Sequence, residues 1–312
     1  MTTISQTTPQ NARGYLAALI SAIVLSTTAI LIRHLTQTYQ LPSLILAFWR
    51  DFFVTITLLI FFGIANRTML RVDRSHWKFL AVFGLVLALF NTAWTASVAI
   101  NGAAVATVLA YCSAGFTVLL GWWFLNESLG WVKIVVVILS LGGCVLVSGA
   151  FDLADWNTNP VGIATGLISG LGYAVYTLLG KAASQKEISP WTSLFYTFGW
   201  ATLFLLAFNL LPWAPFPGKA VTAAELFWLG KALPGWGILF LLAAGPTVIG
   251  FGLYNISLIY LPSGITNLIV TTEPVFTAAI AFVLFNERLS GIQIVGSGLI
   301  LMGVAFLRLK EL

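Results

Sequence analysis

From Gly14 to Ile32, and again from Trp236 to Leu258, no charged side chain interrupts the chain. A helix needs ~18 to 20 residues to cross a hydrocarbon core about 30 Å thick, and several apolar runs in this sequence reach that length. Composition agrees: 59% of the 312 residues are hydrophobic and 8% are charged, with a mean hydropathy of +0.96, whereas a soluble domain is roughly a quarter charged. The chain is expected to be an all-α membrane protein, and fibrous and disordered classes are excluded. The formal charge of +5 does not mark a nucleic-acid partner, because the basic residues form no patch with interleaved aromatics and sit mostly in short loops.

Ten transmembrane helices are expected: Gly14 to Ile32, Ser43 to Gly63, Trp77 to Val98, Ala103 to Leu125, Trp131 to Val147, Val161 to Leu179, Trp191 to Leu211, Trp236 to Leu258, Ser263 to Phe285 and Gly291 to Phe306. Only Asn101-Gly102 separates the third from the fourth, and a continuous crossing there would be too long for one span. Residues 1–13 read as an N-terminal cytoplasmic tail. Met1 to Asn11 is polar and no Ala-x-Ala cleavage pattern precedes Arg33, so the first run reads as a retained span. With the N-terminus inside, ten basic residues gather at inner ends and four at outer ends, which favours both termini in the cytoplasm. Trp77, Trp131, Trp191 and Trp236 then sit at span ends, where amphipathic rings belong.

The chain also repeats itself. Asn126-Glu127 falls on Asn286-Glu287, Leu129 on Leu289, Ile134-Val135 on Ile294-Val295 and Gly143 on Gly303, all 160 positions apart (287 minus 127). Earlier in each half the offset is 148: Leu19-Ile20-Ser21 recurs as Leu167-Ile168-Ser169, and Pro42 as Pro190. The insertion that changes the offset is the Trp213 to Gly235 loop. Gly14, Ala18 and Ala22 match Gly162, Gly166 and Gly170, a small-residue face on which helices approach closely in lipid. Five spans per half is an odd number, so residues 14–149 and 161–308 should be inverted five-helix repeats, joined by an external connector at 150–160 and followed by a cytoplasmic end at 309–312. Inverted repeats are associated with a central transport site between the halves.

Two five-helix repeats, each ending in a Leu-Asn-Glu-x-Leu or Phe-Asn-Glu-x-Leu turn and a Gly-containing last helix, resemble the EamA branch of the drug/metabolite transporter superfamily. Glu273-Pro274 ahead of Leu284-Phe-Asn-Glu287 matches the family's proline in the fourth helix of a repeat, with Ala114 in its place in the first half. Phe48-Trp49-Arg50-Asp51-Phe52 matches the family's arginine in helix 2, where the second half has Phe198. The resemblance implies a ten-helix carrier of small metabolites, often amino acids and frequently an exporter.

The candidate residues are the polar and aromatic ones inside spans. Glu127 and Glu287 are expected on opposite faces, as caps satisfying free N–H groups at a helix start. Arg50 lies about 10 Å inside its span and should face protein or a wet cavity, as a structural salt bridge, a backbone clamp or a ligand for a substrate carboxylate. Asp51 points elsewhere on the helix and is not expected to be its automatic partner. Glu273, beside Pro274, is read as a proton carrier or cation partner, or as a structural hydrogen bond. Thr28, Asn91, Trp94, Tyr111, Tyr173, Tyr176, Tyr254, Asn255, Asn267 and Thr271 are the expected substrate-binding set. Six of them pair with one another across the repeats, Thr28 with Tyr176, Trp94 with Tyr254, and Tyr111 with Thr271, while Asn267 pairs with Thr107. Pro246 and Pro274 bend helices 8 and 9, so the second half is expected to supply more of the gate. Helices 5 and 10 look like scaffold or a dimer face.

No Ser-His-Asp arrangement, phosphate loop or metal cluster is present, Cys112 and Cys144 lie within spans, and His34 and His76 lie at membrane edges. No catalytic residue, metal or cofactor is expected. The best-fitting function is a secondary transporter of the cytoplasmic membrane, monomeric or homodimeric, with protons as a candidate coupling ion. It would move small organic metabolites, best amino acids and in particular aromatic ones, outward by alternating access. A lipid-linked head-group flippase is the alternative. A nucleotide-sugar or phosphate exchanger fits less well, since several basic residues would be needed and only Arg50 is available.

Overall fold

The computed structural model describes residues 9–148, 160–211, 216, 218–285 and 290–311. Among them the chain folds into twelve α-helices. The first half holds α1 Pro9–Thr38, α2 Ser43–Ala65, α3 Trp77–Tyr111, α4 Ser113–Leu125 and α5 Trp131–Ser148. The second holds α6 Pro160–Gln185, α7 Pro190–Leu210, α8 Leu233–Leu242, α9 Val248–Tyr260, α10 Ser263–Val270, α11 Glu273–Phe285 and α12 Gly291–Glu311. Among the described residues eight segments are long and apolar enough to cross a membrane, and Trp131–Val147 is a shorter apolar helix.

Three expected spans are interrupted. The eighth is α8 and α9 joined by a π-turn at Ala243–Thr247, built around Pro246. The ninth is α10 and α11, separated at Thr271-Thr272, so Pro274 opens a helix and does not bend one. The fourth is interrupted at Cys112, between α3 and α4. Cys112 falls on Thr272 at the offset of 160, so both halves break at the same place although only the second has a proline there. Discontinuous helices near the repeat boundary are where transporters keep polar backbone and polar side chains.

Helical backbone runs through all of α3, about 52 Å if straight at ~1.5 Å per residue. Its neighbours on α6 show that it doubles back. Phe83 packs on Tyr176, Phe90 on Tyr173, and the Ser97 hydroxyl donates to the Gly162 carbonyl, in descending order along α6. Leu109 then returns to Gly166 and Gly170. A Cβ on Gly166 would lie 2.5 Å from Leu109 and 2.8 Å from Ser97, residues that a straight helix would hold ~18 Å apart. The reversal therefore falls between Ser97 and Leu109, bracketing Asn101-Gly102 as expected.

Packing obeys the repeat. α6 lies on α3 and α4, and α1 lies on α9 and α11, their counterparts; α2 pairs with α7 and α5 with α12. The expected small-residue faces make these contacts. A Cβ on Gly170 would lie 2.8 Å from the Leu109 carbonyl, while Ala18 and Ala22 are fully buried on α1, where Ser21 donates to the Gly250 carbonyl. The α5–α12 crossing uses Gly143 and Gly296, each with a virtual Cβ within 3 Å of the other's carbonyl. Helices 5 and 10 of the sequence reading are thus a mutual scaffold.

Between α7 and α8 the insertion straps over the start of α2. Asn209 donates to the Leu44 carbonyl and accepts from Ala220 N–H, and the Trp49 indole donates to the Leu226 carbonyl. At the other corner Asn126 ends α4 in the left-handed conformation (φ +55°). Glu127 beyond it caps a helix, as expected of its type, but the helix is α10 in the other repeat. Its two oxygens accept from Ser263 N–H at 2.7 Å and Gly264 N–H at 3.3 Å. Asn286, Glu287 and the 150–159 part of the connector lie outside the described residues.

Candidate substrate pathway

The two helix breaks meet at the centre of the bundle. Ser113, the first residue of α4, donates to Asn267 Oδ1 of α10 at 3.4 Å, and Asn267 Nδ2 donates to Thr177 of α6 at 3.2 Å. Thr177 gives its own proton to the Tyr173 carbonyl, so the 2.6 Å contact with Tyr254 is a bond donated by the phenol. One chain of hydrogen bonds thereby joins α4, α10, α6 and α9, across both repeats. Tyr173 stacks between Phe90 and Tyr254, at centroid distances of 5.4 and 6.0 Å. Glu273 opens α11, where the positive end of the helix dipole favours a carboxylate. Its carboxyl is within hydrogen-bonding reach of Tyr111, with Tyr173 and Cys144 nearby.

A second group sits toward the α1–α2 connection. There a crevice lies between α1, α2 and α3, about 300 Å³ when its open mouth is counted but with internal room for about one water molecule. Arg50, Asn91, Trp94 and Thr95 form its inner wall. Arg50 does pair with its neighbour: Nε donates to Asp51 Oδ1 at 3.0 Å, and Asn91 Nδ2 donates to Asp51 Oδ2 at 3.4 Å. The expectation that Asp51 points elsewhere is corrected. Adjacent residues diverge by about 100° around a helix, but the arginine stem is long enough to fold back over the short Asp51, which is fully buried and needs the charge. The bond uses Nε, and the two Nη groups remain for the crevice.

The expected substrate-binding residues and the two charged candidates, Arg50 and Glu273, therefore divide into groups. Tyr111, Tyr173, Tyr254, Asn267 and Glu273 gather at the centre; Arg50, Asn91 and Trp94 line the crevice. Tyr176 is fully buried against Phe83 and Phe251. Thr271 donates to the Leu268 carbonyl of its own helix, and the Thr28 hydroxyl is buried without a partner among the described residues. Asn255 lies apart, in a smaller crevice toward the α6–α7 connection. Sequence reasoning missed Thr177, Ser113 as a network member, and Asp51. Thr177 carried a readable signal, since it follows Tyr173 by four residues and so shares its face of α6. Among the described residues no group of His, Cys, Asp and Glu could hold a metal ion.

Comparison with known proteins agrees with this geometry. The profile of the EamA-like transporter family matches residues 12–149 and 160–309. An uncharacterized transporter of Archaeoglobus fulgidus is 26% identical over 295 residues, covering 93% of this chain and 94% of its own length. An S-adenosylmethionine uptake transporter of Rickettsia bellii is 27% identical over 272 residues, covering 87% and 86%. A solved chain described only as "Crystal structure of protein" superposes with a TM-score of 0.76 at 17% identity, over 96% of this chain and 97% of its own, and shares the fold.

Proposed function

This chain belongs to the EamA-like transporter family, a multi-pass membrane transporter of small molecules, and from that premise we propose that it carries solutes bearing an amino-acid head group. The observation that carries the proposal is Arg50. Its guanidinium, tethered by Asp51 through one nitrogen, keeps two donors for a substrate carboxylate in a crevice walled by Trp94. One cation beside one buried anion suits a zwitterion better than a phosphate, whose charge would call for several basic groups. Aromatic amino acids meet this description. So does S-adenosylmethionine, the compound named for the Rickettsia relatives, which is an amino acid extended by a sulfonium and an adenosine.

On this reading the solute enters from the opposite face, displaces the Tyr173–Tyr254 contact and leaves through the Arg50 crevice, with Pro246 and the Glu273-Pro274 break as hinges. The charge bias turns the Arg50 crevice outward and keeps both termini in the cytoplasm of the cell it serves. Glu273, facing Tyr111 of α3, Tyr173 of α6 and Cys144 of α5, is the proposed proton-coupling group. Counterflow in proteoliposomes loaded with tryptophan or S-adenosylmethionine tests the substrate class. Saturable exchange of at least one of them is expected, changing with pH in the native protein and insensitive to pH in Glu273→Gln. Exchange of sugar phosphates without either compound would sink the substrate class, and an unaltered pH profile would remove Glu273 from coupling.

A further inference from the structure

The two crevices are the same place in the two repeats. Ile32 and Thr36 of the Arg50 crevice fall on Gly180 and Ser184 at the offset of 148, and Thr95 falls on Asn255 at 160; Gly180, Ser184 and Asn255 all line the second crevice. Because the repeats are inverted, the first opens toward the α1–α2 connection and the second toward the α6–α7 connection. The second is narrower, about 170 Å³ counted in the same way, and as it stands it is too tight to admit a water molecule, so it has to open before it can take a ligand.

Its walls contain groups that ask for a ligand. Asn255 is 3% exposed and Ser193 2% exposed, yet both atoms of the Asn255 amide and the Ser193 hydroxyl lack a hydrogen-bond partner among the described residues. The Tyr176 hydroxyl stands within bonding reach of the Asn255 amide, so one amide atom has a neighbour to turn to, while the other and the Ser193 hydroxyl have none among the described residues. Such buried polar atoms cost free energy unless something polar joins them. Charge is absent by substitution: Phe198 stands where the first half has Arg50 and Phe251 where it has Asn91, and these two rings pack against each other at 5.5 Å.

Resting on the carrier reading above, we propose that Asn255 and Ser193 form a second, uncharged subsite for the transported amino-acid group, on the face opposite Arg50. The substrate is bound by an ion pair on one side of the membrane and by neutral hydrogen bonds on the other, so its affinity differs between faces and is tuned by different residues on each.

The test uses vesicles of defined orientation. In a Cys112→Ala/Cys144→Ala background, a membrane-impermeant maleimide should label Ser193→Cys from the α6–α7 face. Asn255→Leu should raise KM for tryptophan or S-adenosylmethionine about threefold to tenfold at that face, as one or two lost hydrogen bonds would, and leave KM at the Arg50 face unchanged. Ser193→Ala, the milder variant, should show the same sidedness with a smaller shift. Equal shifts on both faces, no shift, or absence of labelling from the α6–α7 face would overturn the subsite. Labelling with the expected sidedness in a protein that exchanges neither compound would overturn the substrate class and leave the crevice standing.

Discussion

The two halves share a skeleton and differ in what they mount on it. At one pair of equivalent positions the first half places Arg50 and Asn91 around a fully buried Asp51, whereas the second places Phe198 and Phe251 in an edge-to-face contact. At the helix breaks the allocation reverses: the first half has Ser113 and the second Glu273. The skeleton follows from small residues that let α6 lie on α3 and α1 on α9, and these recur in both halves. The charges do not recur. A duplicated frame tolerates asymmetric chemistry because close packing constrains size at the crossings, while a cavity wall constrains only what reaches the substrate.

The largest effect should come from making the first half resemble the second. Arg50→Phe leaves Asp51 buried without its cation and should lower stability by about 3–5 kcal/mol. The triple variant Arg50→Phe/Asp51→Gly/Asn91→Phe, which copies the second half, should recover more than half of that in thermal unfolding in detergent. If the triple is no better than the single, the halves are not interchangeable at this position and the comparison breaks. An intermediate effect belongs to the corner that joins the repeats. Glu127→Gln keeps the shape but removes the charge from the α10 N-terminus and should cost about 1–2 kcal/mol; loss of nothing measurable would show that Ser263 and Gly264 are satisfied without it. The smallest stability change is expected for Pro246→Ala in the π-turn, below about 1 kcal/mol, because Pro already withholds the N–H that an alanine would add. Its signature should be kinetic, a slower turnover with KM retained, since π-turns tend to mark moving segments. Unchanged turnover would assign the gate to the two helix breaks that the halves share.

The break at Cys112 was the least legible feature. Sequence reasoning looked for proline, found Pro246 and Pro274 in helices 8 and 9 and none in helices 3 and 4, and placed the bending in the second half. A helix can also end where its last turn tightens and a neighbouring small residue leaves room beside it. Here Cys112 N–H donates back to the Leu109 carbonyl, and Gly170 lets α6 approach the carbonyls of Leu109 and Ala110. Likewise the Arg50–Asp51 contact was hidden from helical periodicity, which places backbones and not the ends of long side chains. By contrast Tyr173, Tyr254 and Asn267 were legible, because each is a polar or aromatic residue on an otherwise apolar span.

What the sequence determined by itself is the class of solvent, the duplication and the inventory of polar groups on apolar helices. These depend on local hydropathy and on counting. Only the tertiary structure decided which of those groups meet: that Glu127 caps a helix of the other repeat, that Arg50 bends to Asp51, and that Asn255 lines a separate crevice. Such choices depend on long side chains and inter-helix register, where a shift of a few ångströms turns a hydrogen bond into none.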